Sequence, residues 1–294
     1  GSRLNTAKGV ELTAAFESNE YYSRREYDKM QMIADKNPIS TLYILYLERG
    51  QDTISDNDFA QVINSKFDYS SIQSLLAQMA ADGFINYNFD RHQMIVRPKL
   101  KHYALASQGK KDFDNIRILS TSTNTNAQLN LKNRETKINE VNKVELSLRQ
   151  RVAFIPYERQ MTLLKNRDMR FNGRLFAGFA LFEGKNQYFN YDAFQMEFDS
   201  IQHLDFYLPT GIKDADGQPG AVAMNSTIER LSGFVLIDAP RNKSGRDTSL
   251  RIFPSLQSKK NSFVYYDQKT TQNGSYKRDS FYFKLDPVSF NSLD

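Results

Sequence analysis

The sequence predicts an α+β protein in which a helical domain, residues 1–120, precedes an all-β domain, residues 121–294. Apolar residues recur at helical spacing in the first part, and strand patterns separated by turn residues fill the second. The polar run Ser120–Asn126 lies between them. Because a run without apolar residues cannot offset its ordering entropy by burial, we expect it to be a linker or an exposed loop.

Composition narrows the classes of protein. The 294 residues are 40% hydrophobic and 25% charged, as in globular proteins, and no apolar run approaches the ~18–20 residues of a membrane span. With no Cys and three His, a zinc site, a thiol nucleophile and a disulfide framework are disfavoured, and we expect no metal or cofactor. The charges of residues 1–120 balance, so the net charge of +5 belongs to residues 121–294.

Three short helices are predicted in the first part. One begins at Asn37-Pro38 and ends at Gly50, since Pro suits a first helical position and Gly a C-terminal stop. The second spans Ser55–Ile63, and the third spans Ser70–Ala81 with apolar residues at i, i+3, i+4 and i+7. A β-hairpin over residues 84–96 follows.

This order of helices and hairpin over residues 37–100 resembles the winged helix-turn-helix. The resemblance implies a nucleic-acid-binding regulator, with Arg91, Arg97, Lys99 and Lys101 near the phosphates. However, residues 68–82 contain no Lys or Arg to read bases. A structural or protein-binding role is therefore favoured over DNA binding.

The second part is predicted to be strands. Residues 174–182 are apolar on both faces, as in a strand buried on two sides, whereas residues 194–198 alternate and place Phe194, Met196 and Phe198 on one face. Further strands are expected over residues 233–238, 262–267 and 280–285. Turn residues separate them, namely Asn172-Gly173, Asp216-Gly217, residues 240–245 and Asn273-Gly274.

One spacing recurs. Ile138, Val141, Val144 and Leu146 have the same spacing as Phe198, Ile201, Leu204 and Phe206. Such a repeat suits a strand, a corner and another strand, so we expect a solenoid-like or stacked-sheet region and a segment of a longer protein. Chance similarity between β-rich segments is the alternative.

A basic stretch followed by aromatics is the main candidate binding surface. Cations near aromatic rings bind anionic glycans, lipid head groups or single-stranded nucleic acid, although a solvated loop has the same composition. The candidate residues are Arg241, Lys243, Arg246, Arg251, Lys259, Lys260, Tyr265 and Tyr266.

Catalytic signals are weak. None of His92, His102 and His203 has a partner at a recognised catalytic spacing, so no catalytic residue is assigned. Glu197 and Asp199 share a strand face, and glycoside hydrolysis needs a carboxylate pair, but many solvent-facing carboxylates have the same spacing. Residues 214–217, Asp-Ala-Asp-Gly, resemble the start of a calcium loop but lack its later ligands, which favours a turn.

Taken whole, the chain resembles segments of very large, uncharacterised exported proteins of Gram-negative bacteria. Residues 27–38, 165–174 and 262–267 carry the resemblance. It implies a periplasmic or cell-envelope location, with the cytoplasm as the alternative. We therefore expect a non-enzymatic structural or protein-interaction segment whose partner is a protein or an anionic glycan. A nucleic-acid-binding regulator and a glycan-binding or glycan-active β protein are the alternatives.

Overall fold

The computed structural model describes residues 12–31, 36–63, 69–213, 219–224, 227–267 and 272–293. The chain is mainly β, with 44% of residues in strands and 20% in helices. It divides into two compact units. One is Asn19–Asp114, and the other combines residues 12–18 with the chain from Asn115 onward. No helix among the described residues is long and apolar enough to cross a bilayer.

The described residues form five α-helices, all in the unit Asn19–Asp114. They are α1 (Arg24–Gln31), α2 (Pro38–Arg49), α3 (Asp56–Ile63), α4 (Tyr69–Ala81) and α5 (Pro98–Ser107). The strands in the described ranges are β1 (Leu12–Glu17), β2 (Thr53–Ser55), β3 (Ile85–Asn88), β4 (Gln93–Val96), β5 (Arg117–Ser122), β6 (Ala127–Leu129), β7 (Thr136–Ile138), β8 (Val144–Ser147), β9 (Val152–Leu163), β10 (Met169–Ala177), β11 (Ala180–Asn190), β12 (Gln195–Lys213), β13 (Pro219–Ala223), β14 (Ile228–Glu229), β15 (Leu231–Leu236), β16 (Ser255–Ser258), β17 (Ser262–Tyr265), β18 (Tyr282–Leu285) and β19 (Ser289–Phe290).

Local signals in the helical unit behave as expected. Asn37 is the N-cap of α2, and its side-chain oxygen accepts hydrogen bonds from the backbone N–H groups of Ile39 and Ser40 at 3.0 and 3.2 Å. Gly50 ends that helix at φ 66°, a conformation that glycine adopts without strain. The hairpin β3–β4 extends to a three-stranded sheet in the order β2-β4-β3. The helices pack over this sheet around buried Phe59, Leu76 and Tyr103.

The predicted fold class, an N-terminal winged-helix module followed by a β region, is wrong. Large antiparallel sheets dominate the chain, and the helical unit does not precede them. Instead, β1 pairs antiparallel with β5, with Leu12 opposite Ser122 and Glu17 opposite Arg117. The helical residues therefore interrupt a β unit. A short strand such as β1 gives little signal by itself, because its partner lies about a hundred residues further along the chain.

The expected linker is also wrong in its first half. Ser120–Ser122 belong to β5, and Ser120 is fully buried. Its hydroxyl donates to the Asn139 carbonyl at 2.5 Å, while the Asn126 side chain donates to the backbone carbonyls of Leu12 and Ser120 at 3.0 and 2.8 Å. Hydrogen bonds to side chains thus order a segment that has no apolar residue to bury.

The β unit is built on an extended antiparallel sheet in the order β18-β17-β14-β12-β11-β10-β9-β7-β6. Its described strand pairs are antiparallel, so the solenoid-like expectation is not supported. The two copies of the repeated spacing also differ in structure. Ile138 and Val144 lie on the separate strands β7 and β8, whereas Phe198 and Leu204 share the single strand β12.

Residues 174–182 form a hairpin, which corrects the expected continuous buried strand. β10 ends at Ala177, β11 begins at its register partner Ala180, and Gly178 turns the chain at φ 57°. Asn172-Gly173 is likewise no turn but lies inside β10 at a register shift. A Cβ on Gly173 would lie 2.9 Å from the Pro156 Cα, so the glycine permits close approach of β9.

The core lies on one face of this sheet. Phe194, Met196 and Phe198 are all buried, which confirms the predicted alternation. Phe154 and Phe171 stack with ring centroids 3.9 Å apart. The residues that alternate with these core positions therefore form an outer face, which carries the candidate site.

Candidate functional site

One row of side chains crosses five strands on the outer face. Register partners link Arg170 on β10 to Tyr188 on β11, then Glu197 on β12, Phe234 on β15 and Gln257 on β16. Because partners across an antiparallel pair share a face, these five side chains lie side by side, about 5 Å from strand to strand. We call them the outer-face row.

Tyr188, the second residue of this row, is held by Asp168. Its hydroxyl donates a 2.5 Å hydrogen bond to Asp168 Oδ2, and Asp168 Oδ1 accepts from the Tyr191 backbone N–H at 2.9 Å. Asp168 is itself in the hairpin between β9 and β10, where its carbonyl accepts from the Leu164 N–H at 2.8 Å. The hydrogen bond to Asp168, followed by burial, raises the pKa of Tyr188 to about 12. The phenol is therefore neutral at physiological pH.

A cleft of about 470 Å³ opens beside three residues of the row, Arg170, Tyr188 and Glu197. It is lined by Arg170, Asn186, Tyr188, Glu197, Phe198 and Asp199. Glu197 accepts a 2.7 Å hydrogen bond from the Gln195 amide, which orients its carboxylate. The cleft thus contains the carboxylate pair Glu197 and Asp199 that the strand alternation placed on one face.

Three register shifts lie in the strands that line this cleft. They fall at Phe171/Gly173 on β10, at Glu183/Gly184 on β11 and at Phe198/Ile201 on β12, and Gly173, Gly184 and Ile201 are neighbours across the strands. A line of bulges increases local twist and leaves backbone groups outside the ladder. Asn172 lies within the register shift on β10, and its side chain accepts a 2.8 Å hydrogen bond from the Asn186 backbone N–H. Asn186 has φ 53°.

The predicted basic stretch divides among different surroundings. Lys259 lies over the Phe234 ring at 5.2 Å, which places it beside the outer-face row. Lys243 lies 5.0 Å from the centroid of the buried Tyr191 ring. The remaining cations of the stretch are exposed on the loop between β15 and β16 or in the turn before β17, namely Arg241, Arg246, Arg251 and Lys260.

The two predicted tyrosines lie at the end of β17. The Arg278 guanidinium lies 3.7 Å from the Tyr265 ring centroid and pairs with Asp267 at 3.1 Å and with Glu229. Tyr266 is exposed. Of the eight predicted residues, Lys259 is therefore the one whose ring contact places it beside the outer-face row.

The cations expected to contact nucleic-acid phosphates have partners within the helical unit. Lys101 Nζ donates to Asp52 at 2.8 Å and to the Tyr46 hydroxyl at 2.9 Å. Lys99 Nζ donates to the Asp82 carbonyl at 3.0 Å, and Arg97 donates to the Asn86 side chain at 3.2 Å. These contacts account for three of the four cations without a ligand.

Sequence spacing missed one histidine–carboxylate pair. His92 Nδ1 lies 3.0 Å from Asp56 Oδ2, and the Tyr87 hydroxyl donates to the same oxygen at 2.7 Å. The 36-residue separation hides this pair, because the hairpin folds back onto α3. Among the described residues, no three His, Asp or Glu side chains cluster as a metal site. Residues 214–217, the calcium-loop resemblance, lie outside the described ranges.

No family model, curated protein or solved structure matches this chain.

Proposed function

We propose that this chain is a non-enzymatic binding protein that holds a glycan on the outer-face row. The observation that carries the proposal is the alternation of groups across the strands. Arg170 is a donor, Glu197 is an acceptor, and Tyr188 and Phe234 supply aromatic rings, all on one face of the sheet. A cation lies beside each ring, the Arg170 guanidinium 5.8 Å from the Tyr188 centroid and the Lys259 ammonium 5.2 Å from the Phe234 centroid. Sugars need this mixture, because their hydroxyls both donate and accept while their ring faces pack on aromatic side chains.

The same row is poorly suited to the other partner classes. Nucleic acid requires cations along the phosphates, whereas two carboxylates, Glu197 and Asp199, line this cleft. The centre of a protein interface is depleted in charged residues, whereas Arg170, Glu197 and Asp199 make up half of the residues that line this cleft. The alternating polar surface therefore favours a polyhydroxylated ligand.

The arrangement favours binding without cleavage. Glycoside hydrolysis uses two carboxyl groups that flank the scissile bond. Glu197 and Asp199 are two residues apart on one strand and meet a ligand from the same side of the sheet. The exported envelope segment that the resemblance implies agrees with a glycan ligand, and it stays a prediction.

The test is a glycan array that includes neutral, amino-bearing and acidic oligosaccharides. The double variant Glu197→Gln/Asp199→Asn removes two carboxylates from the cleft. The matched control Glu140→Gln/Glu145→Gln removes two carboxylates that pair with Arg159 and Lys143 outside the row.

We expect the array to show a set of glycans that binds wild type and the control equally and binds the cleft variant at least about tenfold more weakly, the effect of losing about 1.4 kcal/mol of hydrogen bonding. Equal binding by all three proteins, or no glycan bound by wild type, would contradict the proposal.

A further inference from the structure

The strand β18 is an outer edge of the sheet. It pairs with β17 on one side, from Ser262 opposite Leu285 to Tyr265 opposite Tyr282, and is the terminal strand in the sheet order of the described residues. Its outer side therefore presents a line of backbone N–H and C=O groups, which is a template for pairing with another strand.

The side chains along this edge are unusually apolar. Phe281, Tyr282 and Phe283 are 54%, 49% and 56% exposed. On the core side, the row Leu204, Ile228, Val264 and Phe283 runs from fully buried to half-exposed across β12, β14, β17 and β18. The apolar face of the sheet thus continues to an edge at which no further strand of the described residues pairs. Natural edges are normally protected by charges, proline or bulges, and here Lys284 is the one charge within β18.

We propose that the strand that covers this edge is β18 of a second copy of the chain, in antiparallel orientation. Partners across an antiparallel pair share a face, so a twofold axis perpendicular to the sheet must place one residue of β18 opposite itself. The choice of that residue sets the register.

Charge selects Phe283 as the self-opposed residue. An axis at Lys284 would place two ammonium groups face to face, which is destabilising. An axis at Tyr282 would place Asp279 opposite the apolar Leu285. With the axis at Phe283, Tyr282 lies opposite Lys284 of the other copy, where the ammonium meets a ring, and Phe281 lies opposite Leu285.

The apolar area that β18 can bury indicates how stable the dimer is. Three aromatic side chains of about 150–250 Å² each, half of it exposed, leave about 300 Å² per copy to bury, well below the ~800 Å² of a standard interface. The dimer is therefore weak, and its population depends on protein concentration.

The experiment is sedimentation equilibrium over a range of concentrations. Phe283→Lys and Phe283→Glu each place like charges on the axis, so each alone is expected to be monomeric, whereas an equimolar mixture is expected to form a dimer again. Leu148→Lys adds a charge at an exposed position of the loop between β8 and β9 and is expected to dimerise as wild type does.

Several results would overturn the proposal. If wild type stays monomeric at every concentration, the proposed dimer does not form. If the equimolar mixture stays monomeric, Phe283 does not lie opposite itself and the proposed register is wrong. A dimer that survives in Phe283→Lys assigns the contact to another surface. Hydrogen exchange of wild type gives an independent test, because the β18 amides that point away from β17 are expected to gain protection as the protein concentration rises. None of these results depends on glycan binding.

Discussion

Gln150 donates a 2.5 Å hydrogen bond to the carboxylate of Asp238, which lies 88 residues further along the chain. Asp238 is fully buried and also accepts from its neighbour's backbone, the Ala239 N–H at 2.7 Å, and from the Asn242 amide at 3.0 Å. Asn242 in turn accepts from the Asp247 N–H at 2.9 Å. One carboxylate therefore organises the loop that carries much of the predicted basic stretch.

Asp238→Ala should lower the free energy of unfolding by about 3 kcal/mol, because it leaves two buried amides without their acceptor. Urea denaturation followed by tyrosine fluorescence measures this loss. Asp279→Ala, at an exposed position, serves as the control and should change stability by no more than about 0.5 kcal/mol. A similar small change for both variants would mean that the network contributes little.

Gly233→Ala should be more damaging than a change at a glycine with space around it. A Cβ at residue 233 would press on the Gln257 carbonyl and lie 2.8 Å from the Ser258 Cα, both backbone atoms of the paired strand β16. We expect a loss of about 3 kcal/mol or failure to fold. Gly83→Ala meets no atom within 4 Å and should cost about 1 kcal/mol through its φ of 80°. Thermal unfolding of both variants tests the ranking.

His102 should make the helical unit sensitive to acid. Burial, followed by the charge of Lys111, lowers its pKa from the ordinary 6.5, while Glu20 and Asp114 act in the opposite direction. Below about pH 6.5 the unfolded chain therefore binds a proton that the folded chain resists, so stability falls as pH decreases.

The measurement is the urea midpoint from about pH 7.5 to about pH 5. His102→Leu should reduce the decline over this range, whereas His203→Leu, at an exposed strand position, should leave it unchanged. An identical decline in wild type and His102→Leu would assign the acid sensitivity to other groups.

Tyr188 should titrate later than the exposed tyrosines. Its pKa of about 12 depends first on the hydrogen bond to Asp168, so Asp168→Asn should bring the value back toward 10. Because the folded value is the higher one, the stabilisation of the neutral phenol is complete below pH 10 and is lost as pH rises to about 12. Difference absorbance between wild type and Tyr188→Phe isolates this titration, and a normal value in wild type would contradict the hydrogen-bond assignment.

The sequence by itself determined the local elements whose signals lie within a few residues. The sequence predicts the start of α2 at Asn37 and its end at Gly50, because capping depends on residues within one helical turn. It also predicts the burial of Phe194, Met196 and Phe198, because alternate residues of a strand share a face. The position of Glu197 and Asp199 on one strand face followed from the same alternation.

Only the tertiary structure decided which strands are neighbours. The pairing of β1 with β5 makes the helical unit an insertion and depends on a partner far along the chain. The register shifts at Gly173 and Gly184 likewise depend on the paired strands and not on the local sequence. The outer-face row has the same origin, since Arg170, Glu197 and Phe234 belong to different strands and become adjacent only through antiparallel register. Because side chains alternate along a strand, the sequence predicts which face of the sheet each side chain occupies. Which strand lies beside it depends on the entropy of closing long loops and on the packing of the whole core.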